Sequence, residues 1–397
     1  MDLEAIAALL TPEGWALLES LPAYDGDDAM ALGGRLREQG HPPVLVAAAL
    51  TQARLRARAR GKFGPFAASM LFTPDGLEQA TRLSVAARHA QRFASAGVTR
   101  VADLGCGIGA DSMALATFDR EVVAVERDDV TAAVATMNLR HWPDAVVSCG
   151  DATTADLAGV GGAFVDPARR NASGRRLLDP QAGSPPLSFV HELARRLPAV
   201  GLKTAPGIPH HLVPEGAEAQ WVSVGGDVVE AGVWFGLTAR EGVRRAALVV
   251  PRDGDEEATP AEVTDVGLED PDVGPVGSVL YEPDGAVIRA GLVGQVAAAV
   301  EGRLIDRTIA YVTADHVVRT SLATAYMVEE VFPFQLKTLR TWLRDRHVGR
   351  LTIKKRGTAV EPEQLRRQLR LSGDAEATIV LTRVAGRQSV LAVRPLR

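Results

Sequence analysis

Two kinds of residue in this chain are spaced for chemistry: glycines crowded into one turn, and carboxylates set at the ends of short apolar runs. In Val101-Ala102-Asp103-Leu104-Gly105-Cys106-Gly107-Ile108-Gly109 the acid Asp103 lies near the end of an apolar run, and Gly105, Gly107 and Gly109 follow at alternate positions. Glycine lacks the Cβ that would hold a ligand off and tolerates positive φ, so the backbone there can approach a nucleotide-like ligand closely. Downstream, Glu121-Val122-Val123-Ala124-Val125 ends in Glu126, Ala145-Val146-Val147-Ser148 leads to Gly150-Asp151-Ala152, and Ala163-Phe164-Val165 leads to Asp166-Pro167. Each acid stands at the carboxyl end of a predicted strand, the edge at which parallel sheets bind ligands. A carboxylate at Asp166 and a backbone carbonyl held by Pro167 suit the acceptance of hydrogen bonds from an amine. That keeps the amine's lone pair free to react and stabilises its developing positive charge. Cys106 and Cys149 are isolated thiols and no His-Cys spacing suggests a ligand set, so no metal is expected.

The pattern D-x-G-x-G-x-G resembles motif I of the class I S-adenosylmethionine-dependent methyltransferases and differs from the G-x-G-x-x-G of dinucleotide sites. The resemblance implies S-adenosyl-L-methionine as cofactor, with Asp103, Gly105, Gly107 and Gly109 at its amino-acid end, Glu126 on the ribose hydroxyls, and Asp151 with Ala152 at the adenine. It also places Asp166, Pro167 and Arg169 beside the methyl group, at the family's motif IV position. Arg170 follows, where a guanidinium can grip a substrate phosphate. Amino-methyltransferases often carry Asp or Asn, two prolines and an aromatic at that point, whereas Ala168 and Arg169 stand here in the last two places. A platform for a flipped base must then come from elsewhere, with Phe63, Phe66 and Phe72 as candidates. Nitrogen is the preferred target, and carbon and oxygen stay open. Residues 62–81 lie where that family folds a lid over the cofactor, with Gln79 as the expected polar contact.

Positioning these groups calls for a doubly wound parallel sheet, which the alternation of apolar runs and helical stretches from 100 to 205 predicts. A fifth strand is expected over 199–203. After it, residues 220–224 and 227–235 read as a hairpin on Gly225-Gly226. One antiparallel strand in an otherwise parallel sheet marks the methyltransferase version of the Rossmann-like fold. Before the sheet, residues 1–95 carry apolar residues at helical spacing, with Thr11-Pro12 as a helix start. Arg54, Arg56, Arg58 and Arg60 fall around one such helix and read as a solvated face.

Four regions are expected: a helical extension at 1–95, the cofactor-binding sheet at 96–250, an acidic linker at 251–278 and a basic α+β domain at 279–397. The last should hold a helix over 287–300, a strand near 308–312, helices over 334–346 and 361–371, and strands over 350–354, 378–384 and 390–393. From Lys337 onward about fifteen Lys and Arg face far fewer acids. The cluster Lys354-Lys355-Arg356 and the strand Thr378-Ile379-Val380-Leu381 resemble the THUMP-like domain of certain bacterial methyltransferases, and THUMP domains proper bind RNA. RNA is therefore the expected partner, with Lys354, Lys355 and Arg356 on its phosphates. Across 397 residues the net charge is −5, with 46% hydrophobic and 23% charged residues, enough apolar material for more than one core. Acids follow Met1 and no apolar run reaches membrane-spanning length, so a cytoplasmic protein is expected. Oligomeric state cannot be read from the chain. The reading is an RNA-modifying methyltransferase, against a methyltransferase on a small molecule or protein, or a non-catalytic RNA-binding protein that retains the cofactor fold.

Overall fold

The computed structural model describes residues 2–168, 183–252, 259–268 and 271–396. The chain divides into two compact units, Met1–Glu218 with Ala231–Gly242, and Ala219–Glu230 with Val243–Arg397.

The first unit opens with α1 (Leu3–Leu10), α2 (Pro12–Ser20), α3 (Ala29–Glu38) and α4 (Pro43–Phe63). Asp2 caps α1 by accepting from the Ala5 amide, and Thr11 caps α2 by accepting from Gly14, with Pro12 preset for the first turn. The expected separate helical region does not stand apart. Ile6, Leu9, Leu18, Leu45 and Leu55 join Val101, Val122 and Phe164 in one hydrophobic cluster. Each such side chain stabilises by roughly 1.5–3 kcal/mol when fully buried, so helices and sheet share one core.

Two further helices, α5 (Pro74–Gln79) and α6 (Leu83–Ser95), lead into the alternation that the apolar runs predicted. It comprises β1 (Arg100–Leu104), α7 (Ala110–Thr117), β2 (Glu121–Glu126), α8 (Asp129–Asn138), β3 (Ala145–Cys149), β4 (Gly162–Val165), α9 (Leu187–Arg196) and β5 (Ala199–Thr204). A hairpin of β6 (Glu218–Val224) and β7 (Asp227–Gly236) follows, its two turn glycines both at positive φ as such a tight turn requires. In this unit the strand order is β3-β2-β1-β4-β5-β7, parallel through β5, with β7 antiparallel to it. This is the Rossmann-like sheet with one antiparallel strand that the sequence predicts. The order reverses between β1 and β4, so the carboxyl ends of both strands open onto one crevice. Aromatic packing over the sheet needs a glycine in β5, because a Cβ on Gly201 would come within 2.5 Å of the Trp234 ring.

In the second unit β8 (Arg245–Val250) runs parallel to β6, and β9 (Ala261–Thr264) pairs antiparallel with β8. The segment expected to be a linker thus contributes a strand. Two of its acids have partners there: Glu262 accepts from Gln220, and Asp265 pairs with Arg245. A seven-stranded sheet then forms from β10 (Val279–Pro283), β11 (Arg303–Leu304), β12 (Val312–Ala314), β13 (Ala323–Pro333), β14 (Val348–Lys355), β15 (Ala375–Val384) and β16 (Arg387–Pro395), in the order β11-β12-β10-β13-β16-β15-β14. The single helix expected at 287–300 is two, α10 (Gly285–Ala290) and α11 (Val293–Ala299), broken where Gly291 turns left-handed at φ +70°. Asp306 caps a turn by accepting from the Thr308 amide, and the expected strand begins only at Val312. The helices α12 (Leu336–Asp345) and α13 (Pro362–Leu369) lie where they were expected. Among the described residues no helix is long and apolar enough to cross a membrane.

Candidate functional site

At the end of β1 the chain enters the glycine turn with Gly105, Gly107 and Gly109 all at positive φ. The Gly105 and Cys106 amides both donate to the Val125 carbonyl, at 2.9 and 3.1 Å, which ties the turn to β2. A Cβ on Gly105 would lie 2.5 Å from the Asp166 carbonyl oxygen, so the turn and the end of β4 are in backbone contact. That contact also turns the Asp166 carbonyl toward the glycine turn. At Gly107, by contrast, a Cβ would meet open space.

Glu126 closes the other side. Its Oε2 accepts from the Gly107 amide at 3.0 Å and its Oε1 from the Asp128 amide at 2.9 Å. A carboxylate offers about four acceptor positions, so two remain for hydroxyl donors. The next strand end lies alongside, since the Gly150 amide donates to the Glu126 carbonyl at 2.9 Å. Asp151 there is exposed and caps a short turn that begins at Ala152, accepting from the Thr153 amide and hydroxyl, which hold its carboxyl below the usual range.

Asp103 lies behind the turn, almost wholly buried. Ser112 donates to its Oδ2, while Oδ1 is buried with no hydrogen-bond partner. Burial first, and the nearby Asp111 carboxylate second, push its pKa upward. Asp111 goes the other way: burial would raise it, but hydrogen bonds and charge from His89, with help from Lys203 and Thr81, bring it below the ordinary value.

Sequence spacing gave no sign of the chain of contacts behind Asp166. Lys203, on β5, donates from Nζ to Asp166 Oδ2 at 2.7 Å and to Thr81 Oγ1 at 2.8 Å. Thr81 donates to Asp111 Oδ2 at 2.6 Å, and His89 Nδ1 lies 2.8 Å from Asp111 Oδ1. Lys203, Asp111 and His89 come from β5, α7 and α6, and Thr81 and Asp166 from the connections before α6 and after β4. Only the charge of a lysine at a strand end that should be buried could have drawn notice to it.

The segment expected as a lid packs onto the glycine turn, for a Cβ on Gly76 would lie 2.4 Å from Ile108. Two buried amides string its backbone in place. Gln52 on α4 exchanges hydrogen bonds with Phe72, and Asn138 on α8 exchanges them with Leu71 and also donates to the Ile108 carbonyl. Lys62 donates to the Leu77, Glu78 and Ala80 carbonyls at the end of α5, and burial lowers its pKa to about 8. Gln79 is exposed on the last turn of that helix. Phe63 and Phe72 are not a stacking platform, because both are buried with ring centroids 5.4 Å apart; Phe66 is exposed. Nor is Arg56 part of a solvated face. Its Nε donates to the Met70 carbonyl, its guanidinium lies over Trp15, and burial lowers its pKa to about 10.

Pro167 is half-buried beside Asp166, and the Ala168 amide donates to the Ser184 carbonyl at 2.9 Å. Arg169 and Arg170 lie outside the described residues.

In the second unit the expected basic cluster is largely neutralised. Lys354 and Arg356 converge on Glu282, at 2.5 and 3.7 Å, with Tyr326 and Tyr311 under their charges, and Lys355 pairs with Glu361 at 2.6 Å. Strand alternation sends Lys355 to the face opposite Lys354 and Arg356, and acids meet both faces. Lys337 on α12 and Arg367 on α13 are exposed and make no ion pair among the described residues.

Comparison with known proteins agrees with this layout. Residues 323–395 match the family model described as THUMP domain-like, and residues 2–59 match a model described as a domain of unknown function. Two curated relatives, both uncharacterised S-adenosylmethionine-dependent methyltransferases of Mycobacterium tuberculosis strains, are each 34% identical over 361 residues, covering 88% of this chain and 95% of theirs. A solved structure of a “putative methyltransferase” from Porphyromonas gingivalis W83 superposes with a TM-score of 0.73 at 21% identity. It covers 95% of this chain and 100% of its own, which is evidence of shared fold.

Proposed function

The chain belongs to the S-adenosylmethionine-dependent methyltransferases, and from that premise we propose that it methylates RNA at a base nitrogen, with Asp166 as the residue that receives the acceptor. The observation that supports this reading is the backbone contact between Asp166 and Gly105, which brings the end of β4 against the glycine turn at the reversal of strand order.

The residues present suit the cofactor. Asp103 Oδ1, buried and without a partner, suits an ammonium, Glu126 keeps two acceptor positions for ribose hydroxyls, and the space beside Gly107 admits the ligand backbone-close. Asp151 and Ala152 are assigned to the adenine end, with Gln79 a polar contact from the segment above. When bound, S-adenosylmethionine supplies a methyl group on a cationic sulfur. The protein's part is alignment: Asp166 accepts a hydrogen bond from the acceptor amine, which keeps the lone pair directed and offsets the positive charge that grows on nitrogen. Pro167 limits the backbone freedom of that position. Arg169 and Arg170 are assigned to the substrate from sequence alone.

The THUMP-like match favours RNA as the acceptor. The grip on phosphate is assigned to exposed cations such as Lys337 and Arg367, with Lys355 a weaker contributor because Glu361 competes for it. The pairing of Lys354 and Arg356 with Glu282 favours the second reading, a small-molecule or protein acceptor. Transfer of labelled methyl to total RNA decides between them. We expect transfer by the native protein and loss of it in Asp166→Ala with cofactor binding retained. Equal transfer by that variant would remove Asp166 from its role, and label found only in protein or small molecules would remove RNA.

A further inference from the structure

Lys203 is singled out by no sequence motif, yet it touches the proposed acceptor residue directly. Its side chain is 6% exposed, against 24% for Asp166, so the ammonium sits behind the carboxylate and the carboxylate is the part that reaches outward. Burying such a pair is a poor route to stability. Desolvating an ammonium opposes folding, and an apolar side chain of similar volume usually does as well or better. What the pair provides is direction. Holding Oδ2 at 2.7 Å, Lys203 restrains the Asp166 side chain and so the position from which its carboxylate meets an acceptor.

The lysine is itself fixed. Thr81 Oγ1 accepts its second hydrogen bond and passes its own hydroxyl hydrogen to Asp111, which His89 holds from the far side. Thr81 precedes α6, Asp111 stands in the first turn of α7 and Lys203 belongs to β5, so three separate stretches of chain define one ammonium position. An ordinary ion pair would not need that many anchors.

We propose that Lys203 is a positioning residue for methyl transfer, which orients Asp166 toward the acceptor and is itself held by Thr81 and Asp111. This rests on Asp166 receiving the acceptor, as proposed above. Lys203 makes and breaks no bond and gives up no proton; it acts through the carboxylate.

The test compares native protein, Lys203→Met, Lys203→Arg, Asp166→Asn and the Lys203→Met/Asp166→Asn double variant. Each is given labelled cofactor and whole-cell extract from a strain lacking the gene, which presupposes no class of acceptor. A misplacement of about 1 Å costs about a hundred-fold in rate. Lys203→Met should therefore lose about that factor in maximal rate while its KM for cofactor changes by less than about three-fold. Lys203→Arg should recover part of the loss. Because one residue acts through the other, the double variant should be no slower than Asp166→Asn alone. Full rate in Lys203→Met, a loss seen only in cofactor KM, or a double variant slowed by the product of the two single effects would each overturn the proposal. Asp166→Asn at full rate would instead overturn the role of Asp166, so the two failures are told apart.

Discussion

At the scale of single residues, the site depends on one missing methyl group and one orphan oxygen. Gly105 sits at φ +87° against the Asp166 carbonyl, so Gly105→Ala meets both strain and a clash. Left-handed backbone at a non-glycine residue costs about 1–3 kcal/mol, and relief of the clash must move either the turn or Asp166. The variant should fold with lowered stability and bind cofactor at least about a hundred-fold more weakly by calorimetry; near-native affinity would show that the turn is not the binding surface. Asp103 gives a pH prediction. Burial raises its folded-state pKa to about 8, so the free protein holds a proton there that the unfolded chain gives up near 3.8. Its contribution to stability therefore declines as pH rises through that window. An ammonium at Oδ1 favours the carboxylate, so cofactor binding should release a proton and tighten from about pH 5.5 to about pH 7, a range in which an α-amino group stays protonated. Calorimetry in buffers of different ionisation enthalpy reads that proton directly, and uptake in place of release would contradict the assignment.

At the scale of elements, the glycine turn is held by what packs behind it. Asn138 serves the Leu71 amide, the Leu71 carbonyl and the Ile108 carbonyl, all buried. Asn138→Ala strands these groups, and a loss of about 2–4 kcal/mol in urea denaturation is expected. Cofactor affinity should fall with it, since Ile108 lies within the turn; a destabilised variant with unchanged affinity would separate the strap from the site. Such features were opaque in the sequence, while the sheet was not. The strands from β1 to β4 announced themselves because each is a short apolar run that leads to an acid or a glycine, β5 because its apolar run stops before Pro206-Gly207, and the β6–β7 hairpin because two adjacent glycines mark its turn. Strand β9 was hidden by the acids in and beside it, Glu262 and Asp265, whose partners Gln220 and Arg245 lie 20 or more residues away, and α10 and α11 were merged because Gly291 is a break only in its left-handed conformation. The same limit applies at the site. Asp103, Gly105 and Glu126 are legible because local spacing places them at strand ends, whereas Thr81, Asp111 and Lys203 meet only through tertiary packing.

At the scale of the whole molecule, charge pattern and charge availability differ. The C-terminal unit is rich in Lys and Arg, but Glu282 and Glu361 occupy the three cations that looked most like a binding cluster. If RNA is held by exposed cations, Lys337→Glu with Arg367→Glu should weaken binding and flatten its salt dependence, as lost phosphate contacts do. Lys354→Ala should instead act mainly on stability, by leaving Glu282 half-buried with one cation fewer; a larger effect on RNA affinity than the helix variants produce would return the cluster to the interface. The most direct test of the account is a comparison of modified nucleosides by mass spectrometry in RNA from cells with the native gene, without it, and with Asp166→Asn in its place. The account predicts one methylated nucleoside that disappears with the gene and is not restored by the variant. Identical nucleoside profiles in all three would contradict it.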